Sequence, residues 1–300
     1  MAIAAEAAGR DLYNRAGLAR DARLDLFLSM AFTLPGLAVV AICVVIPCGW
    51  LFYLSAFGPD GNPTWDNYRR VFTGGGYLRV FLTTFQVSLA TVAACVITGV
   101  PFATFINKLR QEQARLFLAA ILLPFWTSLL VRAYAWLVLL GRNGVVNTFL
   151  LSLGVTSDPL PLGYNQFATI LGMTHIMLPV FLLPVLGAMR EIDRTYMQAA
   201  AGFGAGRAFA YRTVFLPLAL PGITAGAILV FVMSLGFYVT PAILGGGNVQ
   251  VISMRIARSL TNFSNWGAAS ALGVLLLVAT GLLFAVSYGL RHMILSRQRR

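Results

Sequence analysis

The sequence predicts an all-α integral membrane protein of six transmembrane helices. Three observations predict it. Hydrophobic residues make up 58% of the 300 positions and charged residues only 11%, where a soluble domain carries roughly 25% charged residues. The mean hydropathy of +0.79 is spread over the whole length and is not confined to one stretch. Finally, six long apolar runs alternate with short segments that hold nearly all the charges. An ordinary soluble enzyme is excluded on these grounds alone.

A helix rises 1.5 Å per residue and the hydrocarbon core is about 30 Å thick, so about 20 largely apolar residues make one crossing. The spans are expected near 27–56, 79–106, 116–139, 167–189, 217–243 and 266–290. The segment 1–26 mixes four arginines with four acids. The apolar run after it is far longer than a signal-peptide core, so the segment is expected to stay on the protein. GPDGNPTWDNYRR before span two and GVTSDPLPLGYNQ before span four are rich in Gly, Pro, Asn and Asp and read as turns. Span four carries His175, expected as a neutral, hydrogen-bonded histidine, and Pro179 and Pro184, which are expected to bend it. Thr240 and Pro241 are expected to interrupt span five. GGGN at 245–248 closes that span, and VQVISMRIARSLTNFSNW has the pattern of a short interfacial amphipathic helix. Gly222 and Gly226 form a GxxxG that either packs spans together or pairs subunits.

The net charge of +12 would suggest nucleic acid in a soluble chain, but its placement here reads as topology. Fifteen basic residues fall on one set of alternate segments: the N-terminus, the 108–115 connection, the loop about 190–216 and the tail 291–300. Six, Arg69, Arg70, Arg79, Arg142, Arg255 and Arg258, fall on the other, with Arg132 inside span three. The positive-inside bias then puts both termini in the cytoplasm. Asp60, Asp66 and Asp158 lie on the outer loops. Cys43, Cys48 and Cys95 all lie in apolar runs with no CxxC pair, so buried thiols are expected and no metal site.

The longest cytoplasmic connection, about 190–216, is organised beyond what a link needs. Thr195 and Gln198 have the spacing of a capping box, which would open a short helix through Met197, Ala199, Ala200 and Ala201. Gly204 and Gly206 would end it, since glycine supplies the left-handed backbone just past a helix. Arg207 to Phe215 then lead into Pro217. A helix whose middle is Ala and Gly presents a low profile that lets another backbone approach; a plain surface helix of good helix formers has the same composition.

The stretch QAAAGFGAGRAFAYRTVFLP, residues 198–217, resembles the EAA loop of the inner-membrane permeases of binding-protein-dependent ABC importers. That pattern is E-A-A, three residues, G, nine residues, I-x-L-P. Ala199, Ala200, Gly204, Leu216 and Pro217 match directly, Val214 stands in place of Ile, and Gln198 stands in place of Glu. LPFWTSLLVRAYAWLVLLGRNGVVN (123–147) and GFYVTPAILGG (236–246) are similar to the branch that includes the spermidine/putrescine transporters; opine, ferric-iron and aminoethylphosphonate permeases carry related motifs. The resemblance implies the six-span, MetI-like architecture of a type I importer and a bacterial inner-membrane location. It implies a coupling helix on residues 198–204 that docks on a dimer of ATPase subunits, a second homologous permease, and a periplasmic substrate-binding protein. ATP and Mg would be bound by the ATPase, and this chain would bind no cofactor. Gln198 keeps hydrogen-bonding capacity but forgoes the charge-assisted contact a glutamate makes.

The candidate path residues are Arg132, Tyr134, Trp136, Phe237, Tyr238 and Thr240. A charge within a span is costly and reads as functional by default. Arg132 also has structural readings, in which it snorkels to the outer interface or holds a neighbouring helix end. The aromatic residues either form an interfacial belt or turn their rings to a central cavity where they attract an ammonium group. An enzyme is disfavoured, because the chain has no GxxxxGK[ST], HExxH or GxSxG motif. An ion-coupled carrier commonly places several acids or histidines in the membrane, and this chain places only Arg132 and His175 there. The expectation is a permease subunit that carries a polyamine, with another small solute as the alternative cargo.

Overall fold

In lipid every backbone polar group must be satisfied within its own segment, so the apolar runs fold as helices. The computed structural model describes the backbone of residues 2–58, 61–262 and 264–298, and side chains within 24–285 apart from residues 26, 59, 60, 75 and 263. Asp60, Arg299 and Arg300 lie outside the described residues, as do most side chains of the terminal segments 1–26 and 291–300. In chain order the helices are α1 (Ala2–Ala56), α2 (Asp66–Thr73), α3 (Gly75–Lys108), α4 (Gln111–Leu122), α5 (Leu129–Leu139), α6 (Val145–Ser152) and α7 (Gln166–Glu191). After these come α8 (Arg194–Gly202), α9 (Arg207–Ala210), α10 (Leu216–Leu235), α11 (Val239–Leu244), α12 (Ile252–Thr261) and α13 (Trp266–Gln298).

Five stretches are long and apolar enough to cross a membrane: Phe27–Ala56, Gly76–Lys108, Gln166–Glu191, Arg207–Leu235 and Trp266–Ala285. The sixth, expected as one helix at 116–139, is broken. Gln111–Trp126 and Leu129–Leu139 meet at 99°. A 3₁₀ turn, Leu123–Trp126, carries Pro124 at its start, and Thr127 and Ser128 are extended. Thr127 donates both its N–H, at 3.1 Å, and its hydroxyl, at 2.7 Å, to Pro124 O, which closes the first half.

Span five also departs from its expected limits. It starts at Arg207 and ends at Leu235, and the interruption falls at Gly236–Tyr238, ahead of Thr240 and Pro241. Those two residues lie in the first turn of α11, where a missing N–H breaks no helical bond. Ser253 donates to the Phe237 carbonyl exposed by this break, at 2.8 Å. The 58–70 segment, read as a turn, turns only as far as the Phe57–Pro63 bridge and is helical from Asp66. Asn67 and Val71 are buried, and Tyr68 Oη donates to Ser55 Oγ at 2.8 Å, which ties α2 to the end of α1.

The core lies where α7 packs between α3 and α10, with Phe181, Met177, Leu182, Val185 and Met189 nearly inaccessible. Glycines permit this approach. Gly99 faces the Phe181 ring, Gly222 faces the Ala188 side chain and Pro184 O, and a Cβ added at Gly226 would lie 2.8 Å from Phe181 O. The GxxxG therefore packs α10 against α7 inside one chain. The hydroxyls of Thr84, Thr91, Thr98 and Thr104 each donate to the carbonyl four residues back, which satisfies them in an apolar setting. Thr84 Oγ1 also accepts the N–H of Ile252 at 2.9 Å and so seats the amphipathic α12 on α3. α1 packs on α13 and α2 and, among its described side chains, is otherwise largely uncovered. Cys95 is buried as expected, but Cys43 and Cys48 are exposed on α1, because that helix offers its own chain only a narrow side.

Candidate functional site

The loop between α7 and α10 is a helix, a tight turn and a helix. Its first helix is not capped by Thr195, as the spacing with Gln198 suggested. Asp193 is the N-cap, and its Oδ1 accepts the Thr195 N–H at 2.8 Å and the Thr195 hydroxyl at 2.6 Å. These two bonds, the hydroxyl first and the N–H second, hold the Asp193 carboxyl below its ordinary pKa. α8 ends in a Schellman motif. Ala205 N–H reaches Ala200 O at 3.0 Å, Gly204 N–H reaches Ala201 O at 2.9 Å, and Gly204 has φ +79°, a conformation that glycine adopts without steric cost.

No residue of α8 is buried. Gln198 and Ala199 are exposed on it, and Phe203 at its end is 93% exposed. Ala200, Gly204 and Val214 meet in one hollow of about 470 Å³, walled by Phe203 and Phe209. Leu216 packs on the α3–α7–α10 core and Pro217 is exposed at the start of α10. The matched positions thus divide between an exposed surface and the foot of a span, which is the arrangement a lever needs.

Between these parts α9 continues into α10 through a π turn, Tyr211–Phe215, and such turns are frequent at functional sites. The Tyr211 hydroxyl bonds Thr104 Oγ1 of α3 at 2.8 Å, and its ring stacks on Phe215 at 5.5 Å. Because the Thr104 hydroxyl donates to Val100 O at 2.8 Å, Tyr211 is the donor to Thr104. Sequence reading missed this tie; its partners are 107 residues apart and give no local signal.

The candidate path residues lie on α5 and at the start of α11, two elements that pack on each other, but differ in burial. Trp136 Nε1 donates to His175 Nδ1 at 3.2 Å, which fixes His175 as neutral with its proton on Nε2. Arg132, one turn before Trp136 on α5, is half-buried; its guanidinium lies 5.9 Å from the Phe125 ring centroid, across the break, and its Nε is buried without a hydrogen-bond partner. Phe237 packs between two core clusters. Thr240 is buried against Gly172 of α7. Tyr134 and Tyr238 are about half exposed, at 56% and 47%. Among the described residues no group of three His, Cys, Asp or Glu is placed to hold a metal ion.

No protein-family model matches the chain. It is 31% identical over 255 residues to the spermidine/putrescine transport system permease protein PotB of Haemophilus influenzae, covering 85% of this chain and 87% of that one. It is 34% identical over 196 residues to the inner membrane ABC transporter permease protein YdcU of Escherichia coli, covering 61% and 62%. Two solved structures share its fold. One is of a bacterial ABC transporter involved in the import of the acidic polysaccharide alginate, with TM-score 0.68 and 20% identity, covering 88% of this chain and 96% of that one. The other is of a bacterial alginate ABC transporter in complex with an alginate pentasaccharide-bound periplasmic protein, with TM-score 0.68 and 19% identity, covering 86% and 92%. The chain is accordingly a multi-pass membrane transport subunit and not an enzyme, and it belongs to the permease family of ABC importers, in the branch of the spermidine/putrescine permease PotB.

Proposed function

We propose that this chain forms half of the translocation path of a bacterial inner-membrane importer for a polyamine of the spermidine or putrescine kind, with both termini in the cytoplasm. A second homologous permease supplies the other half, a periplasmic binding protein delivers the cargo, and a dimer of ATPase subunits binds ATP and Mg. The observation that carries the coupling role is the exposed α8 and its Schellman turn, which leave Gln198, Ala199 and Phe203 uncovered by their own chain. The names of the relatives support the cargo.

On this reading the loop is the coupling lever. Closure of the ATPase dimer on ATP displaces α8, and the run from Arg207 to Leu235, hinged at the π turn Tyr211–Phe215, carries that displacement into the α3–α7–α10 core. The permease pair then alternates between inward-facing and outward-facing arrangements by rigid-body movement of packed helices. Arg132 repels a cationic cargo at close range, so on this reading it acts as a brace across the broken span through Phe125, and the rings of Tyr134 and Tyr238 offer the ammonium groups a neutral attraction.

The test is ATP hydrolysis by the purified, reconstituted complex with and without loaded binding protein, over a panel of polyamines and anionic solutes. Stimulation by polyamine-loaded protein is expected. Stimulation by an anion alone would overturn the cargo and return Arg132 to the path; failure of any ATPase to bind would overturn the coupling role.

A further inference from the structure

A second hollow, of about 650 Å³, opens where the end of α3 meets α8, α9 and the π turn. Lys108, Arg194 and Arg207 reach it from three separate elements, together with Asn107, Thr104 and Tyr211. No carboxylate lines it. Of the acids nearest in sequence, Glu112 and Glu191 are exposed and do not line it, and Asp193, which lines the adjoining hollow beside Arg194, is committed to Thr195. Among the described residues none of the three cations makes a side-chain hydrogen bond or an ion pair. The Tyr211 and Thr104 hydroxyls are spent on each other and on Val100 O, so the cations define what the hollow accepts.

We propose that Lys108, Arg194 and Arg207 form a binding site for a phosphate-bearing anion at the base of the coupling loop. Three uncompensated positive charges around one hollow repel each other, and an anion of more than one charge removes that repulsion. Guanidinium groups match phosphate oxygens through paired, charge-assisted hydrogen bonds, and the lysine adds a point charge. Basic pockets between membrane helices on the cytoplasmic side accept lipid headgroups in this way; a soluble phosphate compound presents the same chemistry. The hollow cannot hold a cationic cargo, so the site is separate from transport specificity. A bound phosphate would tie α3 to α8 and α9 and so bias the position of the coupling helix.

The test uses the whole transporter complex in neutral detergent without nucleotide, titrated with short-chain phosphatidylglycerol in one arm and inorganic pyrophosphate in the other, and with the bound probe counted. Pyrophosphate held by the ATPase subunits is common to all variants, so the comparison rests on R194Q/R207Q against the unmodified complex, with Arg142→Gln on the opposite side as control. The expected result is a loss of affinity of about tenfold or more in R194Q/R207Q for at least one probe, as the loss of charge-assisted hydrogen bonds implies, and no change in Arg142→Gln. Weakened lipid binding alone identifies a headgroup; weakening of both identifies the phosphate itself. Equal binding by R194Q/R207Q and the unmodified complex, or no binding of either probe, overturns the site. Should the double variant fail to assemble, Lys108→Gln is read by the same criterion. Because binding is counted without cargo or hydrolysis, the outcome is independent of the polyamine reading.

Discussion

The α7–α10 crossing and the α8 turn are both built of small residues, yet the two regions use them for opposite ends. At the crossing, a Cβ on Gly222 or Gly226 would meet Ala188, Pro184 O or Phe181 of the same chain. At the turn, a Cβ on Gly202, Gly204 or Gly206 would meet nothing within 4 Å. Smallness at the crossing is therefore explained by the chain's own packing. At the turn, Gly204 is explained by its positive φ, but the openness around Gly202, Gly206 and the exposed alanines has no use inside this chain. It has one if another backbone must come close.

The sharpest way to break this contrast is to enlarge both regions. Gly222→Leu drives a side chain into α7 and is expected to cost about 3 kcal/mol, at the upper end of the usual overpacking penalty, seen as a lowered unfolding temperature of the purified chain in detergent. An unchanged unfolding temperature would mean that α7 and α10 do not pack as described. Gly204→Asp meets no clash and is expected to cost about 1 kcal/mol from its left-handed backbone, while uptake falls about tenfold or more and ATP hydrolysis continues without it. Gly204→Asn keeps the backbone tolerance and adds no charge, so it should retain more uptake than the aspartate. Full uptake by Gly204→Asp would sink the docking role of the turn.

The same contrast explains what the sequence could reveal. The apolar runs were legible because lipid demands them, and the coupling loop because its glycine and cap residues act locally. The break at Thr127–Ser128 was not, since Pro124 inside an apolar run looks like any proline that bends a helix, and its effect depends on starting a 3₁₀ turn. Pro241 misled in the reverse sense, because a proline in a first turn starts a helix instead of ending one. The spacing pointed to Thr195 as the cap, and Asp193 holds that position because its carboxylate accepts from two donors of the threonine. The pairs Trp136–His175, Tyr211–Thr104 and Ile252–Thr84 join elements far apart in the chain and leave no trace in local spacing.

Between the packed crossing and the open turn stands the Tyr211–Thr104 bond. Tyr211→Phe removes one hydroxyl and leaves the stack on Phe215 in place. Thr104 keeps its bond to Val100 O, so no buried donor is stranded, and the cost should be about 1 kcal/mol. A hinge role predicts more than this small loss: uptake should fall relative to ATP hydrolysis, whereas a purely structural bond would lower both in proportion to the amount of assembled complex. Measuring uptake per ATP hydrolysed in Tyr211→Phe separates the two.

The smallest effect concerns the cap that holds α8 in place. Asp193 has a lowered pKa because its ionised carboxylate accepts from the Thr195 hydroxyl and N–H. A carboxyl whose folded pKa lies below its unfolded one stabilises above the unfolded value, about 3.9 for aspartate, and loses that contribution as pH falls through the lowered folded value. The cap is therefore complete throughout the neutral range and weakens only in acid. Asparagine caps nearly as well as aspartate but does not titrate, so Asp193→Asn should leave the stability of α8 nearly unchanged at neutral pH. The ratio of α8 amide-exchange protection between the two proteins should stay flat down to about pH 4 and turn against the aspartate form below it. A ratio that stays flat below pH 4 as well would show that the carboxylate is not held by Thr195, and that the exposed helix starts from a cap other than Asp193.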